Sequence, residues 1–392
     1  MISQFNRITN FLILHLLYIK LLDFVNIKDK GEYLMQVGII GLPYSGKSTL
    51  FSTLLDNQST GYKDPQKAEN GIVEVPDERL DELSEFYQPE QKTNATVEYI
   101  KVPGFEDTDG EPSKLPGKFI SNLKSVDAIL MVVRSFENDI YPHPMNRIAP
   151  KEDIDFINSE MLLSDLSIIE NRIDKLEESD PDEVENLDVK LDFLNKCYEF
   201  LMAEQPLRDM EMSQEEEQML NNFQLLSLKP IIYAININDS DINKTEQIIA
   251  QFSQYNTDTT AVTALCAEVE QEISELDRPD QELFMEELGI QEPALNNLIR
   301  NSYELLGLIS FFTVGKDECR AWTIKQGANA REAGGAIHSD IERGFIRAKV
   351  TGYNDILREG GRQACREKEL LSLEDENYTV EDGDVMEFQF NV

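Results

Sequence analysis

The sequence predicts an α/β protein. It combines a mostly parallel sheet with helices on both faces, an inserted antiparallel helical hairpin, and a small α+β module at the C-terminal end. Three observations predict this. Short β-branched runs alternate with helix-period stretches, the pattern of strand–helix–strand units. Two apolar stripes of heptad-like spacing flank a Pro/Asp turn. From Leu306 onward the chain changes to short strands separated by turn residues.

Residues 1–34 contain the apolar run "FLILHLLYIKLLDFV" (11–25), interrupted by His15, Lys20 and Asp23. A membrane span needs roughly 20 predominantly apolar residues, so this run is too short. No small-residue cleavage site follows it, which argues against a secretory signal. The simplest reading is an N-terminal extension upstream of an initiator at Met35, with an amphipathic surface helix as the rival.

"MQVGIIG" (35–41) is a strand entering "GLPYSGKSTL" (41–50), and "KSTLFSTLLD" continues with helical periodicity. Gly41, four residues, then Gly46-Lys47-Ser48 is the spacing of a phosphate-cradling loop, in the strand–loop–helix setting that loop requires. Backbone N–H groups of Tyr44, Ser45, Gly46, Lys47, Ser48 and Thr49 are placed to surround a phosphate at a helix N-terminus. Lys47 is the expected contact to the β- and γ-phosphates, and the Ser48 hydroxyl the expected Mg²⁺ ligand. "ATVEYIKVPG" (95–104), "VDAILMVVR" (126–134) and "KPIIYAINI" (229–237) read as further buried strands.

Leu162, Leu166, Ile169, Ile173 and Leu176 form the first stripe. Val184, Leu187, Leu191, Leu194, Tyr198 and Leu201 form the second, after "EESDPDE" (177–183). Packing of the hairpin on itself explains both stripes, and a partner contact is the secondary reading. "SQEEEQ" (213–218) is a solvated acidic helix face. In the C-terminal module, Arg343 to Lys368 holds Arg343, Arg347, Lys349, Arg358, Arg362, Arg366 and Lys368 against three acids. Salt bridges to neighbouring acids and an RNA-facing patch explain this stretch equally well.

The 36 basic and 74 acidic residues give a net charge of −38, which argues against indiscriminate binding of nucleic acid or anionic membrane. Four scattered cysteines (Cys197, Cys266, Cys319, Cys365) indicate neither a disulfide framework nor a zinc site, and suit a reduced cytoplasm. Three histidines argue against a multi-histidine metal site, and His338 has no adjacent nucleophile, so it reads as a structural or partner-contact residue.

Several stretches resemble the Obg-related YchF-type P-loop NTPases: "GLPYSGKSTLF", "GIVEVPDERLDEL" (71–83), "VVRSFEND" (132–139), "RAWTIKQGANAREAGGAIHSDIERGFIRAKV" (320–350) and "GDVMEFQFNV" (383–392). The resemblance runs from Met35 to Val392. It implies a G domain in two parts (35–136 and 224–305), a coiled-coil insertion (137–223) and a TGS-like domain (306–392). It also implies a cytoplasmic, monomeric nucleotide hydrolase that uses ATP or GTP with Mg²⁺. Association with ribosomes or rRNA would run through the TGS-like domain and the hairpin.

By the same resemblance, Gly104 offers its N–H to a γ-phosphate, and Asn236, Ile237 and Asp239 of "NIND" contact the base. Cys266 and Ala267 of "CAE" form the last base-contact loop. The sequence also departs from the family. Tyr44 and Ser45 replace Asn and Val. Lys101 stands where an Asp linked to the metal is expected. No switch Thr aligns, Thr60 being the nearest, and Phe105 follows Gly104. The acidic Asp239 favours guanine while the missing Lys weakens that preference, so the base is open. These departures leave three expectations: slow hydrolysis, nucleotide sensing with little turnover, or a translation-linked scaffold in which nucleotide is structural.

Overall fold

The computed structural model describes residues 35–55, 69–103, 117–180 and 186–391, apart from the Lys118 side chain. Residues 1–34, and with them the two readings of the apolar run, lie outside this set. The first half of the chain runs β1 (Gln36–Ile40), α1 (Lys47–Leu54), β2 (Glu69–Glu74), α2 (Glu78–Tyr87), β3 (Gln91–Thr93), β4 (Thr96–Lys101), α3 (Gly117–Leu123), β5 (Ala128–Ser135), α4 (Pro150–Glu177) and α5 (Leu187–Met202). There follow α6 (Gln214–Leu220), β6 (Ile231–Ile237), α7 (Thr245–Gln251), β7 (Thr260–Leu265), α8 (Ala267–Glu275), α9 (Arg278–Leu288) and α10 (Ala294–Leu305). The C-terminal stretch is β8 (Leu308–Val314), β9 (Glu318–Lys325), α11 (Ala330–Ile337), α12 (Ser339–Arg343), β10 (Phe345–Gly352), α13 (Tyr353–Glu359), α14 (Arg362–Glu367), β11 (Ser372–Glu374) and β12 (Asp384–Phe390).

Two compact units emerge. The first comprises Met35–Pro76 and Thr96–Gly307. Its six-stranded sheet has the order β2-β4-β1-β5-β6-β7, parallel throughout except for the antiparallel edge strand β2. Strands β5 and β6 are almost wholly buried, as near-continuous apolar runs in a two-sided parallel sheet must be. This order puts the C-terminal ends of β1, β5 and β6 side by side, which is where α/β sheets of this kind hold ligands.

The 28-residue helix α4 serves two cores. Its first turns bury Ile154, Ile157 and Met161 in the cluster beneath the sheet. Further along, Ile169, Ile173 and Leu176 pack with Phe193, Leu194, Cys197 and Leu201 of α5, and Leu162, Leu166, Leu187, Leu191 and Tyr198 flank that contact. The stripes read from the sequence are therefore the hairpin's own core; Val184 lies outside the described residues. The acidic stretch at 213–218 enters α6 through a capping box between Ser213 and Glu216 and is largely exposed.

The second unit comprises Asp77–Ala95 and the C-terminal residues from Leu308. Its six-stranded sheet has the order β11-β10-β12-β8-β9-β3. Here the structure corrects one sequence expectation. Residues 77–95, placed with the first part of the G domain, belong to this C-terminal unit. The reason is packing. Strand β3 pairs with β9 through Gln91↔Glu318 and Thr93↔Arg320. Arg79 of α2 bonds Asp382 at 2.8 Å and lies over the rings of Phe312 and Tyr353. His338 accepts the Asp340 N–H at 3.1 Å and caps α12, a structural role.

Five of the seven cations between Arg343 and Lys368 have acidic partners close by. Arg343 pairs with Asp340, Lys349 and Arg362 with Glu387, Arg358 with Asp355 and Glu359, and Lys368 with Glu359. Among the described residues, Arg347 and Arg366 have no such pair. Two of these acids, Asp340 and Glu387, lie outside the stretch, so about half of its local excess of positive charge is balanced in place.

Candidate nucleotide site

The loop between β1 and α1 is shaped by two glycines. Gly41 has φ +148°, and a Cβ there would sit 2.2 Å from the Val132 carbonyl oxygen. Gly46, at φ +98°, caps α1, and a Cβ there would lie 2.1 Å from Asn236 Nδ2. Only glycine satisfies both the dihedral and the space.

Asn236, at the C-terminal end of the buried strand β6, ties the loop together. Its Nδ2 donates to Ser45 O at 3.0 Å, and its Oδ1 accepts the Ala267 N–H at 3.0 Å. One side chain thus joins the phosphate loop to the turn that opens α8. Ser45 is buried beside it, and its hydroxyl has no partner among the described residues.

Lys47 begins α1 and is buried. Its Nζ donates to Gly41 O at 2.9 Å and Leu42 O at 2.7 Å, so the ammonium lies within the curve of the loop. Burial, and then the nearby charge of Lys101, lower its pKa to about 7. Ser48 is exposed and Thr49 half-buried at the helix N-terminus.

Tyr44 takes a left-handed conformation (φ 59°), is exposed, and stacks on Tyr141 with ring centroids 5.5 Å apart. Beneath them lies Arg134, a residue the sequence reading did not single out. Its guanidinium donates to Tyr141 O at 2.8 Å, Phe136 O at 3.1 Å and Tyr44 O at 3.3 Å. A charged residue closing the apolar run "AILMVV" (128–133) was the available signal. Behind this contact, His143 donates from Nε2 to Asp153 at 2.8 Å while its Nδ1 accepts the Met145 N–H, which fixes the tautomer.

On the expected base side, Ile237 is buried at the end of β6. Asp239 is exposed, and its carboxylate accepts the Ser240 N–H at 2.6 Å. Cys266 is buried, and burial pushes its thiol pKa up. Ile237 and Cys266 line a cavity of about 530 Å³ with Ala264, Leu265, Asn243 and Glu270. Gly104, Thr60 and Phe105 lie outside the described residues.

The opposite edge differs. Lys101 ends β4, and its Nζ is 2.5 Å from Glu69 Oε1, the partner being the first residue of β2. Glu69 was not anticipated; its sign, opposite to that of Lys101, becomes informative only once the β2–β4 register is known. For a divalent cation the donor chemistry is half present. Ser48 offers a hydroxyl, while Lys101 offers an ammonium in place of a carboxylate. Among the described residues, no three His, Cys, Asp or Glu side chains converge to hold a metal ion.

Comparison with known proteins follows from this geometry. Residues 36–162 match the family model described as a 50S ribosome-binding GTPase, and residues 308–391 match that of the YchF GTPase C-terminal domain, described as a protein of unknown function. The chain is 38% identical over 367 residues to a ribosome-binding ATPase YchF of Bacillus subtilis, covering 91% of this chain and all of that one. The chain belongs to the YchF family. The Pasteurella multocida YchF is 37% identical over 358 residues, with 91% of this chain and 99% of that one covered. The YchF GTPase of Schizosaccharomyces pombe superposes with a TM-score of 0.80 at 27% identity, over 91% of this chain and 97% of the other. YchF membership accounts for the phosphate loop, the inserted helices and the C-terminal module together.

Proposed function

We propose that this YchF-family chain binds and slowly hydrolyses a purine nucleotide in association with the ribosome, as a cytoplasmic monomer. The observation that carries the reading is the cradle: Lys47 inside a glycine-shaped loop, locked by Asn236 to the Ala267 turn. Its bacterial relatives are named ribosome-binding ATPases, which favours ATP; the yeast neighbour is titled a GTPase.

In this reading the backbone N–H groups of residues 44–49 and the N-terminus of α1 hold the β-phosphate. Lys47 moves from the loop carbonyls to the phosphates, and the Gly104 N–H meets the γ-phosphate. Ile237, Asp239, Cys266 and Ala267 face the base. Ser48 would be the protein ligand of a Mg²⁺ ion, whose charge would offset that developing on the phosphates. Ribosome contact is assigned to the C-terminal module and the hairpin.

Single-turnover hydrolysis of ATP and GTP by wild type and Lys47→Ala tests this. Loss of a positioned phosphate-binding lysine should lower the rate by about a hundredfold or more. Tight binding without turnover in wild type would instead establish a nucleotide sensor.

A further inference from the structure

We infer that Lys101, presented by Glu69, is a phosphate-binding residue of the nucleotide site and makes nucleotide affinity largely independent of Mg²⁺. The inference rests on the nucleotide-binding reading above and names a residue and a metal dependence that this reading does not contain.

Position comes first. Lys101 pairs with Ile39, two residues before Gly41, so it ends β4 at the edge of the sheet where the phosphate loop begins. Its Nζ lies 5.5 Å from the ring centroid of Phe51, on the helix that the loop feeds. The side chain therefore points to the α1 face, and its charge is felt at Lys47.

Charge comes second. Among the described residues, two ammonium groups share this corner with the Glu69 carboxylate, and the N-terminus of α1 adds a partial positive charge. These described groups make the corner electropositive before any metal arrives. It attracts a polyphosphate and repels a divalent cation. A carboxylate at this place would do the reverse.

Burial comes third. The Lys101 and Glu69 side chains are 13% and 18% exposed. Partly desolvated pairs of this sort add little net stability, so a merely structural role explains the pair poorly. Glu69 directly follows residues 56–68, and Lys101 lies just before residues 104–116. The pair thus joins the strand ends from which both segments depart. Glu69 is the positioning residue, and Lys101 is the group that meets phosphate.

The test is titration of fluorescent ATP in millimolar Mg²⁺ and in EDTA, with melting temperature as the folding control. Wild type should change its Kd by less than about threefold between the two, whereas Lys101→Met should weaken binding in EDTA by about tenfold, the worth of a charge-assisted hydrogen bond. Lys101→Asp should make binding Mg²⁺-dependent, by about tenfold or more. Glu69→Gln keeps the ammonium but loosens its placement, and should weaken binding in EDTA by about threefold, less than Lys101→Met does.

A wild-type loss beyond about tenfold in EDTA overturns the inference alone. So does equal weakening by Glu69→Gln and Lys101→Met, which would mark the pair as a strand clasp. Absence of binding in every condition overturns the nucleotide reading itself. Should Lys101→Met fail to fold, the wild-type comparison decides.

Discussion

The two sides of the nucleotide site are built by different means. On one side, Gly41 and Gly46 are forced by close contacts, and the Asn236 side chain bonds Ser45 O and the Ala267 N–H. On the other, Lys101 and Glu69 lie opposite each other across the antiparallel β2–β4 ladder and form an ion pair. The first side is fixed by sterics and by buried hydrogen bonds. The second is fixed by charge, and a single substitution reverses its sign. The cradle tolerates Tyr44 and Ser45 because those positions contribute backbone, whereas Lys101 changes the charge of the second side.

The cradle should break most severely. In Gly46→Ala, a left-handed alanine costs about 1–2 kcal/mol, and the new Cβ would sit 2.1 Å from Asn236 Nδ2. Nucleotide binding should fall by at least about a hundredfold, with a lowered melting temperature. Binding within about threefold of wild type would mean that the loop is not interlocked as described. Asn236→Ala comes next. It leaves Ser45 O and the Ala267 N–H without this partner, at about 1–3 kcal/mol for each buried group. Calorimetry should show affinity falling by tenfold or so. An unchanged affinity would sever the phosphate loop from the Ala267 turn.

A smaller effect is expected in the C-terminal unit, where charge is again arranged in two ways. Five cations of the 343–368 stretch are held by acids, and Arg347 and Arg366 are not. If that face meets the ribosome, the double variant Arg347→Gln/Arg366→Gln should weaken co-sedimentation and flatten its salt dependence by about two phosphate contacts. Its stability should stay within about 0.5 kcal/mol. An unaltered salt slope would move the contact elsewhere.

Much of this was legible in the sequence because its signals are local. Gly41 to Ser48 carry their own spacing, and the hairpin stripes carry their own period. What escaped depended on register. Residues 77–95 read as part of the nucleotide-binding domain, yet their partners Arg320, Phe312 and Asp382 lie more than two hundred positions downstream. Glu69 became meaningful only when antiparallel pairing set it opposite Lys101. Arg134 was visible as a charge ending an apolar strand, but its three carbonyl partners follow from the turns around it.

The smallest predicted effect concerns Cys266, on the cradle side. All four cysteines are buried, and burial raises each thiol pKa, that of Cys197 up to about 12. A raised folded value keeps the thiol neutral. The stability this contributes is fully present below the unfolded-state pKa, ~8.5, and is lost as pH rises through the folded value. Alkylation of the native protein at pH 8 should therefore lag far behind that of the denatured chain. Cys266 alone is placed at the 530 Å³ cavity beside Ile237, so mass spectrometry should find it labelled before Cys197, and bound nucleotide should slow that labelling. Equal rates at Cys266 and Cys197 would show that the cavity admits no reagent. Labelling of Cys266 unaffected by nucleotide would put the base on another side of Asn236.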